Sequence, residues 1–293
     1  MLPKLLVPSI IVCLSTSGLA QTSMPDFSVA SAEFSFAYGM DFKDRDGTLN
    51  STRFEISSFL SKPLIPFPGL KITPQLRYEF TAFDFDHVTS PLALRDEDLH
   101  AVSLSVVAIK SDSSSPWFYA GFAKVDLASD FQVISGDDFT FDLAGGGGYR
   151  FNEDFTLGVG VAITNLNGDV GIYPGINFDW KINDQLRVGQ YGPLFNFAYT
   201  PSENWRFHLR GEPRGGIWNL TNDDGRSESI DLSSYQFGAF VSHRLAGELW
   251  LTAGAGATFG NEIRLTTPSG RKITAEEMDT GLFGQIGLRL TKW

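Results

Sequence analysis

Two short acid-and-histidine runs carry the residue types best suited to chemistry: Asp84-Phe85-Asp86 followed by His87, and Asp98-Leu99-His100. A carboxylate beside an imidazole can take a proton from water and steer the attacking oxygen, which is the arrangement a hydrolytic site needs. Folded as a hairpin centred near Leu92, Asp84 would lie near His100 and Asp86 near Asp98. The remaining histidines, His208 and His243, show no metal-ligand spacing, so neither a metal site nor a cofactor is expected. Gly145 to Gly148 lack the Lys-Ser/Thr of a phosphate loop and lead into no helical pattern. They read as a strand with small inward residues or a bulge. No Gly-x-Ser-x-Gly nucleophile motif is present.

Whatever Asp84, Asp86, Asp98 and His100 do, strands must position them. The chain has 293 residues, with 25 Phe, 8 Tyr, 6 Trp and 30 Gly, a mixture that suits strands better than helices. From Leu70 to Ala82, apolar residues at even positions alternate with Lys71, Thr73, Gln75, Arg77, Glu79 and Thr81. Thirteen residues of period two exceed an ordinary sandwich strand and fit one that crosses a bilayer at a tilt. The run 155–164 repeats the logic with a small, polar second face. Further strands are expected over 31–42, 52–62, 98–110, 116–127, 139–151, 172–181, 185–190, 193–200, 205–218, 232–244, 248–260 and 280–293. The count is about fourteen, with twelve as the alternative if the two short segments between 185 and 200 do not form.

The connectors alternate between short turns (152–154, 183–184, 201–204, 246–247) and longer polar segments (43–51, 86–97, 128–138, 165–171, 219–231, 261–279). Short turns at one rim and long loops at the other describe an all-β, antiparallel, up-and-down transmembrane β-barrel. A barrel also solves the backbone problem, because in hydrocarbon every N–H and C=O needs a partner and an open sheet edge leaves a row unpaired. Residues 1–20 read as a secretory signal peptide cleaved before Gln21, with Lys4, an apolar run and small residues at Gly18 and Ala20. Residues 21–293 then form the barrel, without a cysteine, since Cys13 goes with the leader. With 34 acidic against 23 basic side chains the chain would be repelled by nucleic acid.

The terminal segment from Gly281 to Trp293 resembles the last strand of bacterial outer-membrane proteins, which the barrel-assembly machinery reads, although Trp293 is out of phase with Leu282, Ile286, Leu288 and Leu290. The segments Tyr173 to Arg187 and Gly192 to Arg206 resemble an uncharacterised family of bacterial outer-membrane barrels defined by a domain of unknown function. That resemblance implies location and fold and carries no catalytic residue. Asp84-x-Asp86 and Asp98-x-His100 also resemble the acid and base pairs of the omptin outer-membrane proteases. In that family, however, the pairs face each other across the barrel, whereas here they would be hairpin neighbours on the outward phase.

The inward face holds Lys71, Gln75, Arg77 and Glu79, with Arg187, Arg206 and Arg210 as additions. Charges there need water or each other. The expected role is a passive, porin-like channel for small solutes. The alternatives are a closed structural or adhesive barrel with acidic loops and, behind both, an outer-membrane hydrolase. Expected partners are outer-membrane lipid and lipopolysaccharide, whose phosphates could share divalent cations with the loop carboxylates.

Overall fold

The computed structural model describes residues 28–86, 96–112, 114–166, 169–221, 227–267 and 271–291. The proposed leader, His87 and Trp293 lie outside them. The described strands are β1 (Ala30–Asp41), β2 (Thr48–Phe59), β3 (Leu64–Phe67), β4 (Leu70–Asp86), β5 (Glu97–Ser111), β6 (Trp117–Ser129), β7 (Phe139–Arg150) and β8 (Phe155–Leu166). They continue as β9 (Asp169–Lys181), β10 (Leu186–Tyr191), β11 (Leu194–Ser202), β12 (Trp205–Thr221), β13 (Ser227–Ala246), β14 (Leu249–Thr266), β15 (Lys272–Met278) and β16 (Gly281–Leu290).

Fourteen of these strands make a closed antiparallel barrel. β3 is an appendage of β4, and β15 prolongs β16 across Asp279 and Thr280 along the same partner, β14. Closure comes from β1 pairing with β16, in register from Ala30↔Leu290 to Tyr38↔Leu282. The short β10 and β11 are full members of the wall, which decides between fourteen strands and twelve. The long connector 60–69 contains β3, folded back on Leu70 and Ile72.

Period two puts Phe34, Phe36, Phe54, Ile56, Leu76 and Leu104 on the outer face, all exposed, as a lipid-facing belt requires. At the short-turn rim the belt becomes aromatic. Trp117, Tyr149, Phe151 and Phe155 touch ring to ring, with centroids 5.0 to 5.5 Å apart, and Trp205 stacks on Phe207. Amphipathic rings at this level match a membrane–water interface.

At the other rim, polar segments that read as long loops are largely paired. Strand β12 reaches Thr221, β13 starts at Ser227, and β14 with β15 occupies most of 261–279. Above a bilayer the outer face of a strand needs no apolar side chains, so composition there looks like loop while the ladder continues.

These tall arms do not stand upright all round. The turn at Gly192, which takes φ +59, keeps β10 and β11 to six and nine residues. β9 therefore pairs β10 only over Asn177–Lys181, and β12 pairs β11 only through Gly211. With no neighbour on that side among the described strands, the β12–β13 hairpin crosses the interior to β6. Asn219 forms a parallel bridge with Ser129, the Asp130 N–H donates to the Asn219 carbonyl at 3.1 Å, and the Thr221 N–H donates to Asp130 Oδ2 at 2.8 Å. A second, narrower ring results, completed on the far side by Phe42↔Met278 between the end of β1 and β15.

Side chains fill that ring. Leu49, Phe83, Leu99, Trp218, Ile263 and Leu265 are buried in one apolar cluster, and the Phe83 and Trp218 rings meet edge to face at 5.6 Å. Each such side chain contributes about 1.5–3 kcal/mol by leaving water. The loop-rim half of the interior is thus a packed apolar seal and not a polar lining. The cause is the inward hairpin, which places β12 and β13 opposite β4 and β5 at close range.

Candidate functional site

Below the seal the inner face is charged. Glu33, Arg53, Glu55, Arg77 and Glu79 alternate along β1, β2 and β4 with outward Phe34, Phe54, Ile56 and Tyr78. Across the barrel, β12 brings Arg210, Glu212 and Arg214, while β16, the neighbour of β1, brings Arg289. Glu33 takes Arg214 at 2.7 Å and Arg289 at 3.2 Å, and Arg214 reaches Glu212 at 2.9 Å. Arg53 lies 3.4 Å from Glu79, while Arg77 bridges Glu55 at 3.1 Å and also bonds Glu79. Five arginines and three glutamates line a cavity of about 250 Å³, and Glu79 braces Arg53 and Arg77 from beside it. Opposed charges offset one another's desolvation, which lets this many stay ionised at so little exposure.

Two smaller clusters continue the lining. Lys124 of β6 bonds Asp126 at 2.5 Å and Asp142 at 2.8 Å, and Thr164 donates to Asp142. Arg187 of β10 grips Asp179 of β9.

The residues picked out from sequence are distributed as follows. Arg77 and Glu79 belong to the ion-pair belt. Arg210 joins it through Glu212 at 3.5 Å, with its guanidinium 4.2 Å from the centre of the Phe240 ring. Arg206 sits lower, 4.0 Å over the Trp250 ring. Gln75 is half-buried on the same face as Arg77, and Lys71 is exposed at the turn rim. Glu33, Arg53, Glu55, Glu212, Arg214 and Arg289 were not picked out. For Glu33, Arg53 and Glu55 the signal was present in the same alternation: charged residues one position from Phe34, Phe54 and Ile56 in segments already read as strands.

The loop cluster does not assemble as expected. The β4–β5 register sets Phe83 opposite Glu97, Ala82 opposite Asp98 and Phe80 opposite His100. His100 therefore faces Phe80 and not Asp84, a correction that follows from a β4–β5 register offset by four residues from the one that would pair Asp84 with His100. The His100 ring sits between Phe80 and Phe131 and its Nδ1 is 2.9 Å from the Tyr78 hydroxyl. Asp84, Asp86 and Asp98 are exposed. Among the described residues no group of three His, Cys, Asp or Glu is placed to hold a metal ion.

The family model described as Domain of unknown function (DUF6268) matches residues 71–291. The chain belongs to DUF6268. The matched span begins in β4, so the DUF6268 region holds Arg77, Glu79, Arg210, Glu212, Arg214 and Arg289. The β1 and β2 members of the belt, Glu33, Arg53 and Glu55, precede it. No curated protein matches this DUF6268 chain. Among solved structures it is similar to the COG4313 outer membrane channel from Pseudomonas putida F1, at 8% identity and TM-score 0.46, over 92% of this chain and 99% of that one. It is also similar to the KdgM porin in complex with disordered oligogalacturonate (6%, TM-score 0.36, 90% and 99%). A third is the Pseudomonas putida toluene transporter TodX (9%, TM-score 0.34, 90% and 90%). The DUF6268 barrel is established by its own strand pairing.

Proposed function

We propose that the DUF6268 barrel is a bacterial outer-membrane conduit for small polar solutes, shut at its loop rim in this structure. The observation that supports this reading is the charged belt around an open volume inside a closed, lipid-faced wall. A barrel needing only rigidity could fill its middle as it fills its loop rim, with apolar side chains that carry no desolvation cost. Instead the chain keeps eight acidic and basic side chains facing a cavity. The leader-like first 20 residues support an envelope location, with the short turns toward the periplasm and the loop rim toward the exterior. Lipopolysaccharide and the barrel-assembly machinery are the partners such a location implies.

Planar-bilayer recordings of refolded protein test the conduit. The parent barrel should conduct rarely, and Leu232→Ser combined with Ile263→Ser, which wets the seal, should raise open probability severalfold. Silence from both proteins, each shown to be folded, defeats the reading. The seal itself favours a second reading, a permanently closed structural barrel whose acidic loops bind envelope components. In that case the wetted variant stays silent while loop deletions abolish surface binding. A hydrolase at Asp84 and His100 draws no support from the register that separates them.

A further inference from the structure

A belt of opposed charges need not present a neutral surface. Glu79 is 3% exposed and lies behind Arg53 and Arg77, so five arginines and only three glutamates form the wall of the belt cavity. Those three carboxylates are engaged by the same arginines. Glu33 accepts from Arg214 on Oε1 and from Arg289 on Oε2, Glu212 lies against Arg210 and Arg214, and Glu55 pairs with Arg77.

The uncharged acceptors nearby are turned the same way. Gln285 Oε1 accepts from Arg210 at 3.3 Å and from Arg214 at 3.4 Å, Gln236 Oε1 from Arg214 at 3.2 Å, and the Gly215 carbonyl from Arg53 at 3.5 Å. A guanidinium has more N–H donors than a carboxylate has oxygens, so these bonds leave the cavity wall with donors and positive charge in excess. Other acids of the interior border a different space. Asp126 and Asp142 hold Lys124, and with Trp218 and Asp231 of the β12–β13 hairpin they line a second cavity, of about 110 Å³, which meets the belt cavity at Arg77 and Gly215. Acids outnumber bases there, and bases outnumber acids in the belt cavity.

We infer that the belt cavity is a binding site for a small anion, an inorganic ion or a short-chain carboxylate, and that such anions are the solutes the barrel admits. The second half rests on the conduit reading; the first does not. A cation entering the cavity meets guanidiniums, and carboxylates that already have partners. A neutral hydroxyl compound leaves the surplus charge uncompensated. An anion accepts from several guanidiniums at once, and every such bond is charge-assisted. The donors come from β2, β4, β12 and β16, so they surround an ion instead of offering it one flat patch.

The test uses the full barrel in uncharged detergent micelles, with chloride as the probe. The protein should broaden the chlorine NMR line, and acetate or inorganic phosphate should reverse the broadening saturably, with half-effect in the millimolar range, while exchanging sodium for potassium changes nothing. Arg289→Gln, which leaves Glu33 with Arg214, should weaken chloride binding about fivefold, and Glu55→Gln, which leaves Arg77 with Glu79, should tighten it by a similar factor. Arg271→Gln, at an exposed position, should have no effect. Broadening that neither acetate nor phosphate displaces, or that Arg271→Gln removes as fully as Arg289→Gln does, overturns the site. Loss of fold can only abolish binding, so it does not imitate two substitutions that act in opposite directions. In planar bilayers under a KCl gradient, the barrel carrying Leu232→Ser and Ile263→Ser should favour chloride over potassium about threefold. Equal or cation-favoured permeation overturns the solute class. Displaceable binding in a barrel that never conducts would sink the conduit and leave the site, whereas conduction without binding would do the reverse.

Discussion

Arg214 shows how one side chain can organise an interior. It reaches Glu33 of β1 at 2.7 Å and Glu212 of its own strand at 2.9 Å, and bonds Gln236 and Gln285 at 3.2 and 3.4 Å. Removing the cation leaves two glutamates with less compensation in a half-dry space. Arg214→Leu should therefore lower stability by about 3 kcal/mol, the usual cost of breaking a buried pair from one side. Urea unfolding of vesicle-inserted protein measures this, and a loss below about 0.5 kcal/mol would mean that the belt is solvated like a surface. Arg77 and Glu79 were legible as inward residues because the strand around them alternates cleanly over thirteen positions. Arg214 was not, because Pro213, Gly215 and Gly216 interrupt the alternation. Gly215 takes φ +142, and a Cβ there would lie 1.9 Å from the Leu232 carbonyl oxygen, so that position needs glycine for the local bend.

At the level of elements, the decisive feature is the unequal height of neighbouring strands. β10 and β11 stop low, β12 and β13 run on for 17 and 20 residues, and the hairpin finds a new partner in β6. Asn219 and Thr221 tie it to Ser129 and Asp130 above the apolar seal. Ser129→Cys with Asn219→Cys should form a disulfide across this parallel pair, and since the natural chain has one cysteine, Cys13 in the proposed leader, no other pairing competes. Oxidised, this double variant should abolish any conductance of the wetted seal variant, and a reductant should restore it. Unchanged current on oxidation, with the disulfide verified by mass, would show that the hairpin is no gate. The strand content of 219–231 and 261–279 was hidden by polar composition. Ile263 and Leu265 did mark a period of two within the second segment, and Ile230 continued into the first the phase of Leu232 in the next strand, each pair buried on the inner face.

For the whole molecule, closure of the first strand on the last governs behaviour outside the membrane as well as in it. A barrel with no free edge resists detergent, so the unboiled protein should migrate faster on a gel than the boiled one. Equal mobility with and without boiling would contradict the β1–β16 ladder. By itself the sequence determined that the chain is all-β, that its strands are long enough to span a bilayer, and that apolar side chains face outward along them. Those properties rest on the two-residue repeat of a strand and on lengths counted along the chain, and both are local. Only the tertiary structure decided that the interior divides into a charged compartment and a dry seal, that His100 faces Phe80 instead of Asp84, and that Trp218 and Asp231 border one cavity. Each of these depends on register and on a hairpin meeting a strand far away in sequence, and such meetings are set by the closure of the cylinder and not by any neighbouring residues.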